Sequence, residues 1–108
     1  MIFLNNNNKV IGYTKIGQGG IDAVTVDYML IAKYAIDCLC KKVILVHNHP
    51  TGNLIASRKD KDITESIEDI LRPFKIEVLD HIILSEDDFI SNEKDFRNQK
   101  SKYHSYLL

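Results

Sequence analysis

The sequence predicts an α/β fold: a mixed sheet of about five strands that opens with an antiparallel hairpin and carries packed helices. Three observations predict it. First, Val43-Ile44-Leu45-Val46 is a short, β-branched-rich apolar run that leads to Pro50, the pattern of a buried central strand. Second, residues 28–40 and 58–72 place apolar side chains at helical spacing on either side of that run. Third, two extended segments, Met1–Leu4 and Lys9–Ile16, flank four consecutive asparagines. Asn tolerates left-handed φ and bonds its own backbone, so Asn5–Asn8 reads as a hairpin turn.

The remaining elements follow in order. Gly17, Gly19 and Gly20 make an irregular bend, not a phosphate loop, because no Lys-Ser/Thr ending follows. Ile21–Val26 reads as a short strand or extended link. Asp27 caps a helix from Tyr28 to about Cys40, with an apolar face through Ile31, Ala32, Ala35 and Leu39 and with Lys41 and Lys42 at its negative end. The central strand Val43–His47 comes next, then a loop through Thr51-Gly52-Asn53. A second helix spans about Arg58–Arg72, with Ile63, Ile67, Ile70, Leu71 and Phe74 on one face and Pro73 helping to end it. Ile76–Leu84 is a strand, Ser85–Asp88 a turn and Phe89–Ser91 a last short strand. The strand–helix–strand unit from Val43 to Leu84 is expected to cross over right-handedly. Residues 1–91 form the domain, and 92–108 form a polar tail ending in Tyr103, Tyr106, Leu107 and Leu108.

Composition bounds the function. One hundred and eight residues, 27% charged and 44% hydrophobic, make a single ordinary globular domain. The formal net charge of −1 gives no support to a nucleic-acid partner, and no apolar stretch approaches a membrane span. Cys38 and Cys40 stand two apart in a helix-like segment, where i and i+2 do not face each other. They read as small buried or half-buried residues of a reduced, cytoplasmic protein, neither bridged nor sharing a metal.

The chemistry concentrates at the end of the central strand. His47 and His49 alternate with Asn48, so both imidazoles point to one side if the strand continues. Asp60 follows eleven residues later on the face that carries Ile63 and Ile67. Two imidazoles and a carboxylate can hold Zn²⁺ and leave a fourth position for water. A plainer reading stands beside this one. The histidines can be polar residues at a sheet rim, and Ser57 and Asp60 the N-cap and N3 residues of a capping box. Against it, a lone carboxylate on an inward face needs a partner, because burying an unpaired charge is costly. Asp80 and His81 lie inside a strand that is otherwise apolar. They read as hydrogen-bonded structural groups, or alternatively as supports that orient a metal ligand or a loop.

His47-x-His49, seven residues, then Ser57-x-x-Asp60 resembles the JAMM metal motif of JAB/MPN-type metallopeptidase domains. The wording Ile44-Leu45-Val46-His47-Asn48-His49-Pro50-Thr51-Gly52-Asn53 and Val78-Leu79-Asp80-His81-Ile82-Ile83-Leu84 is similar to the RadC-like branch. The resemblance covers roughly residues 1–91. It implies the JAB/MPN, cytidine-deaminase-like architecture and zinc-dependent hydrolysis of a peptide or isopeptide bond in a polypeptide. In that scheme His47, His49 and Asp60 hold zinc, and Ser57 donates a hydrogen bond to the water or the oxyanion. Asp80, His81 and Asn48 are not part of that scheme; they are candidates, from their own positions, to orient the ligands. A glutamate on an early strand serves as general base, and its slot falls at Tyr13 or Thr14, where no carboxylate stands; Met1 to Gly20 contains neither Asp nor Glu. Asp22 could take its place only if the glycine bend folds back over the metal, and Tyr13 could at most orient a water. Loss of a general base lowers rates about 10²–10⁴-fold. The alternative is therefore a catalytically inactive, metal-stabilised binding or scaffold module. Zinc chemistry on nucleic acid is the weakest reading, since the deaminase Cys pair is missing. The RadC name is tied to DNA repair, a link the charge does not support independently. Relatives of this branch commonly carry an N-terminal helical region, so the chain reads as a truncated piece or a minimal stand-alone domain.

Overall fold

A computed structural model describes residues 1–16, 26–48, 58–85 and 88–91. The strands are β1 (Ile2–Leu4), β2 (Val10–Tyr13), β3 (Lys42–Asn48), β4 (Glu77–Leu84) and β5 (Phe89–Ser91). The helices are α1 (Tyr28–Asp37) and α2 (Arg58–Leu71), the latter extended by a 3₁₀ turn at Arg72–Phe74. The five strands form one mixed sheet in the order β2-β1-β3-β4-β5. β1 pairs antiparallel with both β2 and β3, β3 runs parallel to β4, and β5 returns antiparallel beside β4. The predicted fold class and opening hairpin are therefore present.

The asparagine run makes the turn as its chemistry dictates. Asn5 Oδ1 accepts from the Asn7 and Lys9 amides at 2.9 and 3.0 Å, and Asn8 takes a left-handed φ of 60°. Lys42 Nζ then donates to Asn8 Oδ1 at 2.6 Å, which ties the turn to the start of β3.

Two apolar clusters lie on the two faces of the sheet. Met1, Phe3, Val43 and Leu45 meet Ile31 and Ala35 of α1 and Ile67 and Leu71 of α2. Both helices thus pack on the same face. The other face carries Ile2, Leu4, Ile44 and Ile82, with Val10, Val46, Leu79, Leu84 and Phe89 against them. Alternation of odd and even positions along β1 and β3 produces this division.

α1 begins at Asp27, as expected; its carboxylate accepts from the Leu30 amide at 3.2 Å. The helix is shorter than the spacing predicts. It ends at Asp37, and Leu39, expected on its apolar face, is 78% exposed with φ 51°. The Cys40 amide donates to Ala35 O and the Leu39 amide to Ile36 O, a Schellman ending with Leu39 in the position that glycine usually fills. No glycine marks this stop, so the sequence carries no signal of it. A left-handed conformation costs a branched side chain about 1 kcal/mol. Leu39→Gly is expected to raise stability by up to about 1 kcal/mol, measured by urea denaturation; a loss of stability would contradict the assigned helix ending.

The same turn alters the setting of the cysteines. Cys38 and Cys40 follow the helix rather than lying in it, and both thiols reach the Ala35 carbonyl oxygen, at 3.6 and 3.5 Å. Both are free thiols, Cys38 half-buried and Cys40 buried. Burial, with Cys38 beside it, pushes the Cys40 thiol up to about 12, so it stays protonated at neutral pH.

α2 matches its predicted face in part. Ile67 and Leu71 are fully enclosed and Ile63 and Ile70 pack at the cluster's margin, whereas Phe74 lies beyond the helix and is 52% exposed. The tail, the glycine bend and the loop from His49 to Ser57 lie outside the described residues.

Candidate metal centre

His47 lies near the C-terminal end of β3, two residues beyond Leu45 and so on the helix-covered face. Asp60 lies in the first turn of α2 and is only 4% exposed. Its side chain sits near the positive end of the helix. The end of a parallel strand and the start of the following helix bring the two together: His47 Nε2 and Asp60 Oδ1 are 3.6 Å apart. That separation exceeds an ordinary hydrogen bond. Two ligand atoms bound at about 2.0–2.1 Å to one tetrahedral zinc ion lie about 3.4 Å apart, so the pair fits a shared metal ion. His49 and Ser57 lie outside the described residues. Among the described residues no group of three or more His, Cys, Asp or Glu side chains is gathered as a metal site; His47 and Asp60 supply two donors.

His81 is the third polar side chain at this place, and a β-bulge puts it there. Val43 pairs with Val78, but Ile44 pairs with Asp80, so Leu79 is an extra residue in β4. With unbroken alternation from Val78, Asp80 would face the helices and His81 would face away. The bulge reverses this. His81 aligns with Leu45 on the helix face, and Asp80 aligns with Ile44 on the other.

The consequences are visible in the hydrogen bonds. His81 Nδ1 lies 2.6 Å from Thr64 Oγ1, and Thr64 Oγ1 donates to the Asp60 carbonyl at 2.9 Å. The His47 and His81 rings meet edge to face, with centroids 6.2 Å apart and planes at 88°. Asp80 accepts from the His81 amide at 2.7 Å and from the Ser91 hydroxyl, which ties the bulge to β5. Asp80 and His81 thus serve opposite faces of the sheet. Asn48 is exposed at the last position of β3, across from Leu84.

Tyr13 is 69% exposed on β2. It pairs with Ile2, which pairs with Ile44, three residues short of His47 and two strands away. That places the Tyr13 backbone roughly 10 Å across the sheet and roughly 10 Å along it from His47. Thr14 follows it, its amide bonded to Met1 O at 2.9 Å. The slot chosen for the base therefore stands away from the pair.

Thr64 and Ser91 are hydrogen-bonding neighbours of His81 and Asp80 that sequence reading missed. Thr64 is four residues after Asp60, on the same helix face, and that spacing was a usable signal. Ser91 had none, because its partner is set by strand pairing.

A mixed sheet with a histidine–aspartate pair at the carboxyl end of its parallel strands defines an α/β domain whose polar pair stands where open α/β sheets usually bind ligands. Comparison with known proteins makes the assignment: the profile of the RadC-like JAB domain matches residues 1–98, and the chain belongs to that family. It is similar to a UPF0758 protein of Flavobacterium johnsoniae, 38% identical over 91 residues, covering 84% of this chain and 40% of the relative. A UPF0758 protein of Haemophilus ducreyi is 33% identical over 101 residues, covering 94% and 45%. One from Vibrio cholerae is 35% identical over 83 residues, covering 77% and 53%. The chain thus spans about half or less of the length of these relatives. Among the described residues no helix is long and apolar enough to cross a membrane.

Proposed function

We propose that this chain is the zinc-binding domain of a RadC-like hydrolase that cleaves peptide or isopeptide bonds in a polypeptide. The observation that carries the reading is the 3.6 Å approach of His47 Nε2 to Asp60 Oδ1. His47, His49 and Asp60 would hold the ion. Zinc held there would supply Lewis acidity towards a water or a carbonyl oxygen. Ser57 would donate a hydrogen bond to the oxyanion as it develops. Burial of Asp60 and His81 keeps bulk water from one side of the pair and strengthens charge interactions there. The free thiols of Cys38 and Cys40 accord with a cytoplasmic setting.

A second reading, a metal-stabilised binding module, is favoured by one specific observation. Met1 to Gly20 holds no Asp or Glu, and Tyr13 stands two strands from His47. The two readings separate in one assay. Zinc-loaded protein is incubated with fluorogenic peptide and isopeptide-linked substrates, with and without chelator. The hydrolase reading expects cleavage that chelator abolishes and zinc restores, and that Ser57→Ala lowers about 10²–10³-fold. Zinc-loaded protein that cleaves neither substrate would leave the binding module.

A further inference from the structure

The fully buried anchors of α2, Ile67 and Leu71, lie seven and eleven residues beyond Asp60. At 1.5 Å per residue that is about 10 and 16 Å along the axis. They hold the far half of the helix, whereas Asp60 sits in its first turn, where helices fray. The His81–Thr64–Asp60 chain of hydrogen bonds ties that first turn to the sheet. His81 is well placed to act as a fixed post. It is 6% exposed and is followed in β4 by Ile82 and Ile83, both fully buried. Its backbone amide is held by Asp80, and the Leu79 bulge sets which face it occupies.

We propose that His81 is a positioning residue for the metal centre. Through Thr64 it holds the Asp60 backbone at the distance from β3 that two ligands of one ion require, and through its edge-to-face contact it fixes the plane of the His47 ring. One side chain on β4 thereby sets the geometry of a ligand on α2 and a ligand on β3. The inference rests on the zinc-site reading above. It assigns Thr64 a specific part: its hydroxyl joins the His81 imidazole to the Asp60 carbonyl. Groups that orient metal ligands typically account for 10–100-fold in metal affinity.

The test measures zinc affinity by competition with a chromophoric chelator, and the visible absorption of the Co²⁺-loaded protein, for wild type, His81→Gln, Thr64→Val and Thr64→Ser. Far-UV circular dichroism checks that each variant is folded. Thr64→Val keeps the shape and removes the hydroxyl; Thr64→Ser keeps the hydroxyl. Thr64→Val and His81→Gln are expected to bind zinc 10–100-fold more weakly and to shift the Co²⁺ bands, while Thr64→Ser retains the wild-type affinity and spectrum. A merely structural role would not move the Co²⁺ bands of a folded variant. Should His81→Gln fail to fold, Thr64→Val decides the matter. Folded Thr64→Val with wild-type affinity and spectrum would overturn the proposal and leave the zinc site standing. Wild type that binds neither ion would overturn the zinc reading itself, and this inference with it.

Discussion

Asp60→Ala is expected to strip the protein of zinc. Wild type purified without a metal-binding tag and exposed to zinc should carry about one ion per chain by elemental analysis, the stoichiometry of a three-ligand site. Asp60→Ala and His49→Ala should each carry essentially none, and Ser57→Ala should keep its ion because the part proposed for it is hydrogen bonding rather than ligation. The reason lies in the charges. Two neutral imidazoles leave the dication's charge uncompensated, and Asp60 is a buried carboxylate whose Oδ1 approaches His47 Nε2 to 3.6 Å. A thermal readout gives an independent check. A ligand that binds only the native state stabilises it by RT ln(1 + [L]/Kd), so added zinc should raise the melting temperature of wild type and leave Asp60→Ala unmoved. Full zinc content in Asp60→Ala would show that the ligand set is different and return Asp60 to the role of a capping carboxylate.

Leu71→Ala carries the largest expected effect on stability. Leu71 is the last residue of α2, is fully buried, and joins the cluster formed by Val43, Leu45, Ile31, Ala35 and Ile67. Its carbonyl also accepts from the Ile76 amide at 3.3 Å, where the chain turns toward β4. Truncating such a leucine removes its transfer free energy and leaves a cavity, together about 2–5 kcal/mol. A domain of this size has roughly 5–15 kcal/mol in all. Each kcal/mol corresponds to about 4–8 °C in Tm, so melting should fall by at least about 8 °C. Phe74→Ala, at the exposed end of the same region, should stay within about 0.5 kcal/mol. A loss below about 1 kcal/mol at Leu71 would mean that the far half of α2 is not clamped to the sheet.

The extent of what could be read in advance varies by element, for physical reasons. The hairpin was legible because four asparagines have few other uses between apolar segments. The central strand was legible because Val43–Val46 is too short and too β-branched for a helix. The inward placement of Asp60 followed from its spacing to Ile63 and Ile67, since side chains three and seven residues apart on a helix share a face. The end of α1 was not legible. Leu39 continues the apolar pattern, and only the packing of Cys40 against the helix end shows that the chain has already turned.

The sequence by itself determined the fold class, the strand and helix that carry the candidate site, and the residue types that could hold a metal there. These depend on period and composition, which are local. Tertiary structure alone decided that His81, and not Asp80, stands beside His47. Strict alternation along β4 cannot say where an extra residue will be absorbed. That is settled by pairing seven residues of β3 against eight of β4 while both clusters stay filled and Asp80 keeps its bonds to the His81 amide and Ser91. One residue of slip exchanges the two faces of a strand, and in this protein it carries a histidine to the His47–Asp60 pair.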